Sequence, residues 1–265
     1  MDYTHLFILS LVQGLTEFLP VSSAAHLILL PELAGWEDQG LVYDIAAHAG
    51  SLIAVLVFFQ KDLSRISMAW VHSLQGQPVS QDAKIAWYVI LATLPVAIAG
   101  LVIYDTVATI FRNPVIIAIA TIVFGLLLWW ADAKGKRIRN QQTLTLMDAI
   151  LIGVAQMLAL VPGVSRSGIT MTAGLMLGFD RYTAARFSFF LAIPAIILAS
   201  LHEIYRYFGE VTDTDPLAFL MVTVVSGISA WVAIKFFLTL IERTGMLPYV
   251  IYRLLLGIFL LFVFV

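Results

Sequence analysis

Cysteine is absent from the chain, and charge is scarce: only 12% of its 265 residues are Asp, Glu, Lys or Arg. Without thiols there is no disulfide framework, no thiolate metal site and no cysteine nucleophile. Soluble domains carry about 25% charged residues, so this chain has too few to coat a water-exposed surface. The formal net charge is −2 and no basic stretch is interleaved with aromatics, which argues against nucleic acid as a partner. The opening Met1-Asp2-Tyr3 lacks a basic segment, so no cleaved leader is expected.

What the chain has in quantity is apolar sequence, at 61% hydrophobic. The composition predicts an all-α polytopic membrane protein, a single integral membrane domain over 1–265. A spanning helix needs about 20 mainly apolar residues. Six stretches qualify, at roughly 41–60, 85–104, 114–131, 184–205, 217–240 and 247–265. Two more apolar regions, roughly 6–30 and 146–177, are interrupted halfway, at Leu19-Pro20-Val21-Ser22-Ser23 and at Pro162-Gly163-Val164-Ser165. Each half is too short to cross alone. A broken helix pair that dips in and returns is expected, because irregular backbone is tolerated at depth only where protein or a cavity surrounds it.

Charge placement tests that topology. With both broken regions returning to their own side, Lys61, Arg65, Lys84, Lys134, Lys136, Arg137, Arg139, Arg181 and Arg243 fall on one side. Glu32, Glu37, Asp38, Asp105, Glu210, Asp213 and Asp215 fall on the other, with Arg112 and Arg206 as exceptions. The basic side is the cytoplasmic one. The two broken regions then enter from opposite sides. A shift of 143 residues sets Gln13 on Gln156, Leu15 on Leu158, Val21 on Val164 and Ser22 on Ser165, four identities in eleven positions, with Ser23 on Arg166. Together these predict an inverted repeat with halves of approximately 1–140 and 141–265, whose site lies where the broken helices meet.

Both breaks carry chemistry. In Gln13-Gly14-Leu15-Thr16-Glu17-Phe18-Leu19-Pro20-Val21-Ser22-Ser23-Ala24-Ala25-His26, Gln13 and Glu17 share a helix face, as do Ser22, Ser23 and His26. An ionisable group at this depth costs about 2.5–3.5 kcal/mol and is a functional candidate by default. The competing readings are structural: a carboxylate held by hydroxyls, a satisfied core histidine, serines that cap the next half-helix. In Pro162-Gly163-Val164-Ser165-Arg166-Ser167-Gly168-Ile169-Thr170, Arg166 occupies the first turn of a helix, the wrong end of the dipole for a cation. It makes sense there with a bound anion, or as an internal partner of Glu17. The positive part suits a phosphate or diphosphate, and the Glu–His–Ser part suits hydrolysis.

These two segments resemble the two signatures of the bacterial undecaprenyl-diphosphatase (bacitracin-resistance) family, and the resemblance extends over the chain in length and span order. It implies hydrolysis of undecaprenyl diphosphate to the monophosphate, which recycles the lipid carrier for cell-wall synthesis. It also implies residence in the cytoplasmic membrane with a site opening to the outer face. By motif, Glu17 and His26 correspond to the family's catalytic pair, Ser23 to its proposed nucleophile and Arg166 to its phosphate-binding arginine. Ser22, Ser165, Ser167 and Thr170 correspond to accessory hydroxyls. Gln13 stands where that motif has Glu or Gln, which weakens a two-carboxylate mechanism, and Ala24-Ala25 stands where relatives often have Thr-Gly.

The mechanism expected from this reading has Arg166, Ser165 and helix amides clamp the diphosphate. His26, balanced by Glu17, deprotonates Ser23 or a water. A divalent cation, Mg²⁺ or Ca²⁺, is expected to be held mainly through the substrate, with Glu17 as the one candidate protein ligand. The expected partners are a polyprenyl diphosphate and bilayer lipid; a homodimer stays open. The alternative class is a secondary transporter, for which broken helices in inverted repeats are a known design. Asp44 and His48 read as interfacial, Asp148 as a cap, and Arg186, Lys235 and Arg253 as snorkelling or carboxylate-paired. Trp36, Trp129 and Trp130 read as interface anchors. His5, His72 and His202 lack metal-ligand spacing and are assigned nothing.

Overall fold

The computed structural model describes residues 2–109, 111, 113–206 and 215–265, with side chains throughout except at 104–109. Arg112, Glu210, Asp213 and the side chain of Asp105 lie outside the described residues. Six helices are long and apolar enough to cross a membrane: α3 (Leu41–Phe58), α5 (Gln81–Thr109), α6 (Pro114–Lys134), α9 (Arg181–Arg206), α10 (Pro216–Thr244) and α11 (Leu247–Phe264). They are the six stretches expected from apolar length. Their outer faces carry large exposed apolar side chains, such as Leu101 and Val102 on α5 and Leu255 and Phe262 on α11, as lipid-facing surfaces do.

Both interrupted regions are broken helices. The first is α1 (Tyr3–Glu17) and α2 (Ser23–Ala34). The second is α7 (Leu146–Gln156), a 3₁₀ turn at Met157–Leu160, and α8 (Arg166–Met176). Moved by 143 residues, Tyr3 and Glu17 fall on Leu146 and Leu160, and Ser23 falls on Arg166. The chain after α2 returns to the start of α1, where Trp36 stacks on His5 with ring centroids 4.1 Å apart. After α8 it returns to the segment before α7, where the amides of Ile138 and Arg139 donate to Gly178 O at 3.1 and 3.0 Å.

Close helix contact sets the depth of each break. The start of α1 lies beside that of α10, where the Tyr3 hydroxyl donates to Asp215. Farther along, a Cβ on Gly14 would fall 2.3 Å from Ser226 O, near the middle of α10. Only glycine permits that approach. The second break repeats the pattern against α5. Gln81, at the start of α5, donates to Gln141 O at 3.1 Å, just ahead of α7. A Cβ on Gly153 would then meet Ala92 O at 2.3 Å.

One helix absent from the sequence expectations is α4 (Gln60–Leu74), which comes directly after α3. Its Asp62 accepts from Arg186 of α9 at 2.6 Å, and its Arg65 reaches Asp82 of α5 at 2.7 Å. At the same end Arg181 forks onto Asp132 of α6, at 2.6 and 3.0 Å. The main core cluster contains Phe18, Phe59, Phe189, Phe190 and Phe237. Phe18 meets Phe189 edge-on at 5.3 Å, so the residue after Glu17 is anchored in the main core.

Candidate functional site

Pro20 and the Pro162-Gly163 pair stop their helices because proline offers no amide and clashes with the preceding turn. Each break ends in a serine at positive φ, Ser22 at 73° and Ser165 at 72°. A non-glycine residue rarely adopts this conformation, and it is strained unless its surroundings impose it. Here the two breaks impose it on each other. The amide of Gly163 donates to Ser22 Oγ at 3.2 Å. Ser167 Oγ donates to Leu19 O at 2.8 Å.

Glu17 is the centre of the junction. Its Oε2 accepts from Ser23 Oγ at 2.6 Å and from Gln13 Nε2 at 2.9 Å. Its Oε1 accepts from Arg166 Nη2 at 2.9 Å. One carboxylate thus joins the first turn of α2, the last turn of α1 and the first turn of α8. Arg166 also donates to Ser188 O at 3.2 Å and lies over the Phe18 ring. Thr170 packs beside it, 2.7 Å from Ser188 Oγ. Ser165 Oγ accepts from the amide of Gly168 at 3.1 Å, a helix cap, and sits 3.1 Å from Ser167 Oγ. Ser22 makes no such cap for α2.

The structure therefore brings Gln13, Glu17, Ser23 and Arg166 into one hydrogen-bonded group. Ser22, Ser165, Ser167 and Thr170 surround it, mostly bonded to each other or to backbone. His26 faces elsewhere: Nδ1 donates to Ser22 O at 2.7 Å, and Nε2 lies 2.5 Å from the Tyr252 hydroxyl of α11. Since a carbonyl only accepts, the neutral ring carries its proton on Nδ1 and accepts at Nε2.

Sequence reasoning missed three residues here. His48 is not interfacial: its Nε2 approaches Glu17 Oε2 at 4.0 Å, while Nδ1 donates to Asp44 O at 2.7 Å. Arg253 does not snorkel, and among the described residues it pairs with no carboxylate; it is fully buried and donates to backbone carbonyls. Tyr252 precedes it and meets His26. The available signal was an ionisable or aromatic-hydroxyl side chain within an apolar helix. Elsewhere, Arg186 finds Asp62, Lys235 sits over the Trp231 ring, and Trp36 stacks on His5 rather than simply anchoring an interface. Asp148 completes a capping box with Thr145 and binds Arg139 at 2.6 Å.

For a divalent cation the donor set is thin. Among the described residues no three His, Asp or Glu side chains cluster with metal-ligand geometry. Beside Glu17, the buried Gln13 Oε1 has no hydrogen-bond partner among the described residues. That pair fits a cation only as two ligands in a shell completed by phosphate oxygens and water.

Against known proteins, a family model described as bacitracin resistance protein BacA matches residues 6–259. The chain is 51% identical over 265 residues to the undecaprenyl-diphosphatase of Thioalkalivibrio sulfidiphilus, with both chains covered completely. It is 52% identical over 268 residues to undecaprenyl-diphosphatase 2 of Stutzerimonas stutzeri, covering 100% and 99% of the two chains. It is 51% identical over 262 residues to undecaprenyl-diphosphatase 1 of Pseudoalteromonas translucida, covering 97% of each.

Proposed function

Because the chain belongs to the BacA bacitracin-resistance family, we propose that its multi-pass helical bundle hydrolyses undecaprenyl diphosphate to undecaprenyl phosphate and inorganic phosphate. The observation that carries this reading is Ser23 Oγ donating to a Glu17 carboxylate that Arg166 also holds. A hydroxyl, a proton acceptor and a cation stand together in apolar surroundings, the parts phosphoryl transfer needs. The same group would have no evident purpose in a transporter. Recycling of the lipid carrier, and with it bacitracin resistance, is the consequence of that product.

In the first step Glu17 Oε2 takes the Ser23 proton while Oγ attacks the terminal phosphorus. The bond to the bridging oxygen breaks, and the lipid monophosphate leaves with the proton. Water then attacks the phosphoserine, giving its proton to Glu17; the bond from phosphorus to Ser23 Oγ breaks, Glu17 returns the proton to Oγ, and inorganic phosphate departs. Arg166 exchanges Glu17 for the phosphate oxygens, and the uncapped first turn of α2 adds amides on the other side. His48, 4.0 Å from Glu17, is placed to relay the proton; His26 acts through Ser22 by holding its carbonyl. A divalent cation shared between Gln13, Glu17 and the substrate would neutralise diphosphate charge.

The inverted-repeat reading is supported by the two breaks pairing with each other, by α1 starting beside α10 and α7 beside the start of α5, and by both chain returns. With the basic loops cytoplasmic, α1 and α2 enter from the outer face of the cytoplasmic membrane and open the Ser23 side of the site outward. The test is phosphate release from undecaprenyl diphosphate by purified protein in detergent. Turnover by the wild type and loss in Glu17→Gln is the expected result; a wild type without turnover overturns the reading.

A further inference from the structure

Arg253 is the largest fully buried side chain, at 0% exposure, inside a helix long enough to cross a membrane. Among the described residues no carboxylate accepts from it. Instead Nε donates to Thr121 O at 3.1 Å, Nη1 to Pro20 O at 3.3 Å and Nη2 to Gly163 O at 2.8 Å. These acceptors belong to α6, the first break and the second break. Pro20 and Gly163 occupy corresponding positions under the 143-residue shift, each two residues before its positive-φ serine. A break strands carbonyls that no helical amide can reach, and in a membrane interior each must be satisfied by protein.

The surroundings leave room for this side chain and little else. A Cβ on Gly168, in the first turn of α8, would fall 2.9 Å from Arg253 Nη1. One on Gly125 would fall 3.2 Å from Arg253 Cβ and 3.4 Å from Nε. A guanidinium spreads its donors over three nitrogens in a fixed plane and so reaches acceptors on three separate segments, whereas the donors of an ammonium all radiate from one nitrogen.

We propose that Arg253 is the positioning residue that joins the two breaks into one diphosphate site, setting Ser23 and Glu17 on one side against Arg166 on the other. Arg253 touches neither substrate nor reacting atoms; it acts through the two backbone segments that carry them. The kinetic part of the test rests on the hydrolase reading; the structural part does not.

The experiment compares wild type, Arg253→Lys and Arg253→Met in detergent. Kinetics with undecaprenyl diphosphate is paired with distances between spin labels at Leu33→Cys and Leu158→Cys, which the cysteine-free chain allows without background. Misplacing reacting groups by about 1 Å costs about a hundredfold in rate. The expected result is a fall in kcat of that order per folded molecule in Arg253→Met, with a broadened label distance. Arg253→Lys, which keeps the charge but not the fork, is expected to recover only part of kcat. A role confined to folding would lower yield and unfolding temperature while leaving kcat of the folded fraction unchanged, and that result overturns the proposal. So does full recovery by Arg253→Lys, or a kcat loss with an unchanged label distance. If Arg253→Met does not fold, Arg253→Lys decides on the same criteria. If wild type releases no phosphate, the hydrolase reading fails while the label distances still decide the joint.

Discussion

At the first break Ser22 leaves its own helix uncapped and takes the amide of Gly163; at the second, Ser165 turns back and caps its own helix at Gly168. The two serines share a positive φ, at 73° and 72°, while their ψ angles differ, at 86° and 117°. Their neighbours on the C-terminal side differ in kind. After Ser22 comes the Ser23 hydroxyl, bonded to Glu17, with α2 lacking a side-chain cap; after Ser165 come Arg166 and two hydroxyls, Ser167 and Thr170, bonded to backbone or to other hydroxyls. In the proposed mechanism, a positive-φ serine therefore serves reactivity at one break and rigidity at the other: the first presents the groups that react, and the second holds the cation against them.

Substitutions at four positions press on that division. Glu17→Gln strikes the reactive half and is expected to lower kcat by about 10²–10⁴, as loss of a general base does, and to lower the unfolding temperature too, because Arg166 loses its carboxylate. Phosphate release and a melting curve in detergent check both parts. Arg166→Ala strikes the holding half. It leaves Glu17 buried and unpaired, a cost of about 3–5 kcal/mol, so both turnover and unfolding temperature should fall. The double variant Glu17→Gln with Arg166→Ala should regain much of that stability and none of the activity. A double variant no more stable than Arg166→Ala would show that the pair is not coupled.

Ser165→Ala removes a helix cap and should cost about 1 kcal/mol, whereas Ser165→Gly should cost only a few tenths, because glycine also relieves the positive φ. Thermal unfolding of the two variants side by side tests the order, and a milder alanine would contradict it. The smallest effect is expected at Tyr252→Phe, which deletes one hydrogen bond to His26. At about 0.5–1.5 kcal/mol, it should slow turnover no more than roughly tenfold. A larger loss would move His26 from a supporting role into the chemistry.

Much of the fold is legible in the sequence. Apolar length locates all six long helices, since burying a helix in lipid depends on little else. Pro20 and Pro162-Gly163 mark the breaks because proline acts on its own neighbours. Glu17, Ser23 and Arg166 stand out as polar groups at depth, and an ion pair between Glu17 and Arg166 is one of the two roles that the position of the arginine allows. The rest depends on helices meeting across the bundle. Asp44 and His48 look interfacial on a linear map, and only the packing of α3 beside α1 carries His48 to Glu17. Arg253 invites a carboxylate partner because side-chain charge is visible in sequence and stranded backbone carbonyls are not. His26 shows the converse. It shares a face with Ser23, yet its ring is engaged by Tyr252, 226 residues away.

Arg253 has a consequence in time as well as in space. It is separated by 233 residues from Pro20 and by 90 from Gly163, so both breaks leave the ribosome long before the side chain that ties them. Contacts this distant in sequence form late. A nascent chain holding both breaks, but not yet α11, carries Glu17, Ser23 and Arg166 with the direct bonds between the breaks but without the guanidinium that spans their carbonyls. Hydrolytic competence would then arrive only as α11 takes its place, and a stalled or truncated chain would sit in the bilayer as an inert bundle rather than a stray hydrolase.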